Sequence, residues 1–368
     1  MAVLILKVTE KCNSNCYYCD VVRKGERASL SLDLLEIIFS RINEYLTAEP
    51  QETFEIVWHG GEPLLVGPEY YRTALTFQKR HCASTQSRIR HCIQTNLTCF
   101  SEDFVEPLQQ LGITSVGCSF DPEPHVRGPG PERDTDEYNR RFLDAMKVLK
   151  RHGMGYGAIY VVTQRSLRDP LGVFFYMTNL LLGHGVDFHP VLIYDDERQD
   201  IAVSPEDFVN FLGTIFPTWW EHRDRYPNIG PFRSLVDCII EKDASLGCNE
   251  SGTCTYCQMN IAPDGEASQC GRSSDWGLLP YGNIRDRTIA EILSDAQRKQ
   301  LADRVELLKD GDCKGCRFWT ICHGGCPLDS WSANRDFKHK SEWCEVQRGF
   351  VERYFEPVTG VRFEPKKA

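Results

Sequence analysis

The sequence predicts an α/β protein: parallel strands joined by helices over roughly the first two hundred residues, then a smaller cysteine-rich region. Three observations carry this. Short β-branched or apolar runs alternate with amphipathic segments six times before about residue 195, and such repetition means parallel strands with right-handed crossovers. Beyond Cys248 glycine and cysteine become frequent and the apolar runs shorten. The 17 cysteines of this 368-residue chain cluster at 12–19, 248–270 and 313–344. The alternation alone leaves two architectures open, a doubly wound sheet and part of a (βα)8-type barrel.

Strands are expected over 3–8, 54–58, 89–95, 115–120, 156–162 and 188–194. The first helix follows Ser31, a good N-cap, and places Leu35, Ile38, Phe39, Ile42 and Leu46 on one face. Further helices are expected to begin near Pro68, Ser101, Thr135 and Pro170. From 204 to 240 the spacing of Phe208, Phe211, Leu212 and Ile215 is helical throughout. A hairpin is expected from 259–262 and 266–269 around Pro263-Asp264-Gly265, and a helix over 288–301. The expected domains are a β/α-repeat domain over 1–200, a helical bridge over 201–245, a cysteine-rich domain over 246–350 and a tail over 351–368.

The formal charge of −10 argues against a nucleic-acid partner held by phosphate contacts. No apolar stretch approaches the ~18–20 residues that span a bilayer. The opening MAVLILKVTEKC has no basic residue ahead of its apolar core and no small-residue cleavage site after it. It reads as a buried first strand of a cytoplasmic protein. Clustered cysteines in that compartment favour metal over disulfides.

Cys12, Cys16 and Cys19 form C-x3-C-x2-C directly after the first strand. Functional residues of β/α repeats sit at such strand ends. Four thiolates complete a zinc site or saturate an iron–sulfur cluster, whereas three leave one metal position open. The plain alternative is a zinc with a fourth ligand from elsewhere, such as His59.

With Tyr18 before its last cysteine, this loop resembles that of the radical S-adenosylmethionine (SAM) superfamily. The resemblance implies a [4Fe–4S] cluster on Cys12, Cys16 and Cys19, whose fourth iron takes the amino and carboxylate groups of SAM. Reductive cleavage of SAM then gives methionine and a 5′-deoxyadenosyl radical that removes a hydrogen atom from substrate. Gly60-Gly61-Glu62-Pro63 is similar to the family's GGEP motif, which holds the SAM amino group. Thr95-Asn96, then Ser119 and Asp121, stand at the ends of the third and fourth strands, where relatives place SAM-contacting polar groups. Arg127 matches an arginine facing the SAM carboxylate, although Asp121-x3-His125-x-Arg127 is shorter than the family's stretch. The resemblance implies a partial (β/α)6 barrel.

Downstream, Cys313, Cys316, Cys322, Cys326 and Cys344 form C-x2-C-x5-C-x3-C…C, and Cys248, Cys254 and Cys270 precede them. This resembles the SPASM domain of peptide- and protein-modifying radical SAM enzymes. It implies two auxiliary [4Fe–4S] clusters, three clusters in all: one on Cys248, Cys254, Cys270 and Cys326, the other on Cys313, Cys316, Cys322 and Cys344. The alternative is two structural zincs. Cys257 is extra. Cys82, Cys92, Cys99, Cys118 and Cys238 are expected to be small buried hydrophobes. His59, His91 and His189 lie near strand ends and are expected to be hydrogen-bonded scaffold groups rather than catalysts.

Auxiliary clusters imply a net two-electron oxidation with SAM consumed. In sulfatase-maturating relatives an aspartate base follows the third cysteine of the first auxiliary set. Here Gly271 follows Cys270, which argues against formylglycine formation. The expectation is therefore a maturase of a ribosomally made peptide or protein, forming a carbon–carbon, carbon–oxygen or thioether crosslink. A flavodoxin or ferredoxin is the expected reductant. Small-molecule dehydrogenation and peptide epimerisation are the alternatives, and a non-enzymatic metal scaffold is a third. No winged-helix module precedes the first strand, so a leader peptide is expected on the barrel or on 204–240, which contains Trp219-Trp220.

Overall fold

The structure is a computed structural model. It describes residues 1–21, 27–194, 197–241, 246–248, 250 and 252–365. The expected bridge (201–245) and tail (351–368) both end outside the described residues.

Six strand–helix alternations run as expected: β1 (Ala2–Thr9), α1 (Leu32–Ala48), β2 (Phe54–Gly60), α2 (Pro68–His81), β3 (Ile89–Thr95), α3 (Glu102–Gln110), β4 (Ser115–Ser119), α4 (Thr135–Arg151), β5 (Gly155–Val162), α5 (Pro170–Leu180), β6 (Gly185–Pro190) and α6 (Pro205–Glu221). Local chemistry sets the helix starts. Ser31 accepts from Leu34 N–H, and Ser204 and Asp207 close a capping box. In β1 the side chains alternate: Leu4, Leu6 and Val8 are fully buried on one face, with Ile5 and Lys7 on the other.

The chain divides into two compact units, Met1–Tyr156 with Tyr256–Arg298, and Gly157–Thr255 with Lys299–Ala368. In the first unit, β1 to β4 are parallel neighbours in chain order. The expected hairpin forms between β8 (Gln258–Ile261) and β9 (Glu266–Ser268), which pair antiparallel. β8 adds to β1 in parallel, with Ile5 opposite Asn260, and β10 (Pro280–Asn283) pairs with β9. In the second unit β5, β6 and a two-residue β7 (Ile229–Gly230) are parallel neighbours.

Three expectations are corrected. The strand expected over 188–194 lies at Gly185–Pro190; the last bond to β5 runs from Val191 N–H to Val162 O (2.9 Å), and the apolar run after it is not strand. The helix expected over 204–240 stops at Glu221. The segment containing Pro227 and Pro231 carries β7 instead, and helix resumes as α7 (Phe232–Val236). The helix expected over 288–301 is split into α9 (Ile289–Leu293), a 3₁₀ turn at Ala296–Arg298 and α10 (Lys299–Asp310), with α8 (Gly271–Asp275) preceding them. Asp295 causes the break: its carboxylate accepts from Gln297 N–H at 2.8 Å, a local bond that competes with helix.

Candidate functional site

The three-cysteine loop leaves the end of β1 and is pinned from both sides. Gly61 N–H donates to Thr9 O (2.7 Å) and Glu62 N–H to Lys11 O (2.8 Å). On the other side Asn15 N–H donates to Gly128 O (2.8 Å) and Tyr17 N–H to Val126 O (2.9 Å). The double glycine is required by this approach. A Cβ on Gly60 would stand 2.1 Å from Thr9 O, one on Gly61 2.3 Å from Lys11 O, and Gly60 has φ +132°. Cys16 is buried, and Cys12 and Cys19 are half-buried. Burial pushes the Cys12 thiol up to about 12 and Cys16 to about 11, with the charge of Arg127 opposing the rise at Cys16.

Glu62 is fully buried. Its carboxylate caps the turn at Pro63–Val66 by accepting from Leu64 N–H (2.9 Å). It also accepts from Thr95 Oγ1 (2.6 Å) and Asn96 N–H (2.7 Å). Burial raises its pKa and these hydrogen bonds oppose the rise. The Asn96 side chain turns back to the cysteine loop, donating to Asn13 Oδ1 (2.9 Å) and Ser14 Oγ (3.4 Å), with Cys12 Sγ at 3.8 Å. Asn13 donates to Thr98 Oγ1 (2.7 Å). The sequence reading missed Asn13, Ser14 and Thr98; short polar residues beside a strand-end Asn were the available signal.

Tyr18, Asp121 and Arg127 form one buried knot. Tyr18 donates to Asp121 Oδ2 at 2.5 Å. Arg127 pairs with the same oxygen and donates to the Tyr18 hydroxyl. Tyr138, also missed, donates to Ser119 O (2.5 Å), and Ser119 Oγ accepts from Gln94 Nε2 (3.1 Å). Arg127 thus sits where its charge faces Cys16, despite the shortened spacing around it.

A second charged pair is buried on the opposite face of β1. Lys7, 1 % exposed, donates to Asp275 Oδ1 (2.7 Å) and to Gly271 O (2.9 Å). The hairpin makes this possible, because α8 follows directly on β9, two strands from β1. His59 is the register partner of Lys7. Burial, then the Lys7 charge, lower its pKa, and its Nδ1 accepts from Gly60 N–H (2.7 Å). His91 faces the helix side: Trp58 Nε1–H donates to its Nδ1 (3.1 Å), and its Nε2 meets Gln78 Oε1 of α2 (2.7 Å). His189 pairs with Asp187 (3.1 Å).

In the second unit Cys313, Cys316, Cys322 and Cys344 line one pocket with Lys340 and Arg348. Cys322 and Cys344 share a hydrogen bond that raises the first thiol and lowers the second. Burial pushes Cys313 up to about 11. Cys248, Cys254 and Cys326 belong to the same unit, Cys270 to the first. Among the described residues, no three His, Cys, Asp or Glu side chains converge on a point that one metal ion would occupy. Cys82 and Cys118 are fully buried as expected, whereas Cys99 and Cys238 are half-buried and Cys92, on the strand face opposite His91, is exposed. Trp219 is core, 1 % exposed, with Nε1 donating to Tyr226 O (2.8 Å). That leaves only half-exposed Trp220 for a partner.

The family model of the radical SAM superfamily matches residues 6–169, and that of the SPASM iron–sulfur cluster-binding domain matches 248–317. The chain is a radical SAM protein with a SPASM domain. Among its relatives is the cysteine-type anaerobic sulfatase-maturating enzyme of Clostridium novyi, 27 % identical, covering 98 % of this chain and 97 % of the relative. The serine-type enzyme of Bacteroides thetaiotaomicron is 25 % identical over 91 % of this chain and 84 % of its own. Among solved structures, a histidine-tagged anSMEcpe with bound AdoMet superposes with TM-score 0.83 at 23 % identity, covering 98 % of each chain. Streptococcus suis SuiB bound to its precursor peptide SuiA superposes with TM-score 0.63 at 15 % identity, covering 94 % of this chain and 76 % of SuiB.

As an enzyme of the radical SAM family, the protein binds SAM and iron–sulfur clusters. The residues fit those groups. Three thiols share one pinned loop, and four more line one pocket beside two cationic side chains, the soft-donor sets that clusters require. No described helix is long and apolar enough to cross a membrane.

Proposed function

We propose that this radical SAM protein is a maturase that oxidises, by two electrons, a side chain of a peptide or protein substrate, converting cysteine or serine to the aldehyde formylglycine. Similarity to cysteine- and serine-type sulfatase-maturating enzymes over nearly the whole chain, both cysteine sets included, is the observation that carries this reading.

When bound, the cluster on Cys12, Cys16 and Cys19 supplies the electron that cleaves SAM, and the clusters on Cys248, Cys254, Cys270 and Cys326 and on Cys313, Cys316, Cys322 and Cys344 supply an electron acceptor. The chain's own residues do the rest. Glu62, with the carbonyls around Gly60, Gly61 and Pro63, offers acceptors for the SAM ammonium. Thr95 and Asn96 fix that carboxylate, and Tyr18, Ser119, Asp121 and Arg127 form the opposing polar wall. SAM held by these residues would supply the radical that takes a hydrogen atom from the substrate Cβ, and that carbon would then give up one electron to the auxiliary centre and one proton to a base. From serine this gives the aldehyde; from cysteine it gives a thioaldehyde, which water converts to aldehyde and hydrogen sulfide. Asp275, oriented by Lys7, is the carboxylate this chain offers for the proton. The division at residues 200, 245 and 350, a cytoplasmic location and a flavodoxin or ferredoxin reductant belong to this proposal.

A second reading, side-chain crosslinking of a peptide, is favoured by Gly271: no carboxylate directly follows Cys270. Mass spectrometry distinguishes them. Anaerobic protein with dithionite, SAM and a peptide containing cysteine or serine is expected to yield 5′-deoxyadenosine and a hydrazine-reactive aldehyde. A peptide lighter by two hydrogens with no aldehyde supports the crosslink, and absence of 5′-deoxyadenosine rejects both.

A further inference from the structure

Arg304 on α10 is a cation placed deep in the second unit, and no carboxylate among the described residues pairs with it. It is 4 % exposed. One terminal nitrogen, Nη2, donates to two backbone carbonyls, Gly324 O (2.9 Å) and His339 O (3.0 Å). Its Nε–H is buried and has no hydrogen-bond partner among the described residues. An orphaned donor on a buried charge is destabilising unless something accepts from it.

The surroundings say what that acceptor is. Gly324 lies between Cys322 and Cys326 in the chain, and a Cβ built on it would stand 3.5 Å from Cys313 Sγ. The carbonyl held by Arg304 therefore belongs to a turn wrapped against the thiols. The groups that sustain the guanidinium charge against burial are Cys326, Cys313, Cys254 and Cys322, in that order. These four are drawn from both auxiliary sets. A cluster carries net negative charge with its thiolates and exposes sulfurs that accept hydrogen bonds, and both factors set its reduction potential.

We infer that Arg304 is a potential-setting residue of the auxiliary centre: its buried charge and orphaned Nε–H stabilise the reduced state and raise the midpoint potential. The inference rests on the proposal that these cysteines hold clusters. It makes the auxiliary centre a better electron acceptor without Arg304 touching substrate or SAM. Uptake of one electron adds one negative charge, which Arg304 offsets, and no proton transfer is involved.

The test is an anaerobic redox titration followed by electron paramagnetic resonance. The full chain carries Cys12→Ala, Cys16→Ala and Cys19→Ala, so that only auxiliary signals remain. Arg304→Met is expected to lower the midpoint of at least one auxiliary signal, and Arg304→Lys, which keeps the charge and loses the fork, to fall between. A midpoint identical in all three at equal iron content overturns the inference. If Arg304→Met holds too little iron to titrate, Arg304→Gln decides by the same criterion. A parent protein with no auxiliary signal and no iron rejects the cluster assignment itself, a result separate from any effect of Arg304.

Discussion

Thr95 Oγ1 donates to Glu62 Oε1 at 2.6 Å, while the adjacent Asn96 N–H donates to Oε2 at 2.7 Å. The glutamate after the double glycine is thus aimed by the end of the neighbouring strand. Its buried carboxylate accepts three protein hydrogen bonds and keeps lone-pair capacity for one more donor. Thr95→Val leaves one carboxylate oxygen short of a donor and is expected to cost about 1–3 kcal/mol in urea denaturation, with weaker SAM binding by calorimetry. Glu62→Ala strands three donors and is expected to cost more than Thr95→Val by both measures.

Asp275→Asn leaves the Lys7 ammonium buried without a counter-charge, for an expected loss of about 3–5 kcal/mol. The double variant Lys7→Met, Asp275→Leu removes both charges and is expected to recover much of that loss. In turnover, Asp275→Asn should still form 5′-deoxyadenosine while peptide product falls about 10²–10⁴-fold, the range for losing a general base. Product formed at the wild-type rate removes Asp275 from the reaction.

Cys344→Ala is expected to lower bound iron by about four per chain, one cubane. Cleavage of SAM should persist, because Cys12, Cys16 and Cys19 are untouched, but oxidised product should fall sharply. Iron analysis and product mass spectrometry read the two effects separately.

Burial lowers His91 to about 4 from 6.5. Its neutral form accepts from Trp58 Nε1–H and donates to Gln78, and protonation breaks the first bond. A lowered folded-state value means the unfolded chain binds the extra proton first. This contribution is therefore complete above pH 6.5 and lost as pH falls from 6.5 toward 4, by about 1.4 kcal/mol per pH unit. His91→Gln should flatten that part of the stability profile, measured by urea midpoints.

Much of this was legible because local rules agreed. Ser31, Pro68, Thr135 and Pro170 mark helix starts that the structure keeps, and the strand expected ahead of the three cysteines forms as β1. What was illegible depended on non-local pairing. β7 has two residues, and only its ladder to β6 makes it a strand. His91 could not be assigned a face until β3 was placed against α2. The Lys7–Asp275 pair spans 268 positions and exists because β8 adds to β1, which no spacing in either segment encodes.

The most direct test of the central claim is 5′-deoxyadenosine formation by the anaerobically reconstituted protein with dithionite, SAM and a cysteine- or serine-containing peptide, beside the Cys12→Ala, Cys16→Ala, Cys19→Ala variant. The account predicts 5′-deoxyadenosine together with an oxidised peptide from the wild type and neither from the variant. Iron-loaded wild-type protein that leaves SAM intact contradicts it.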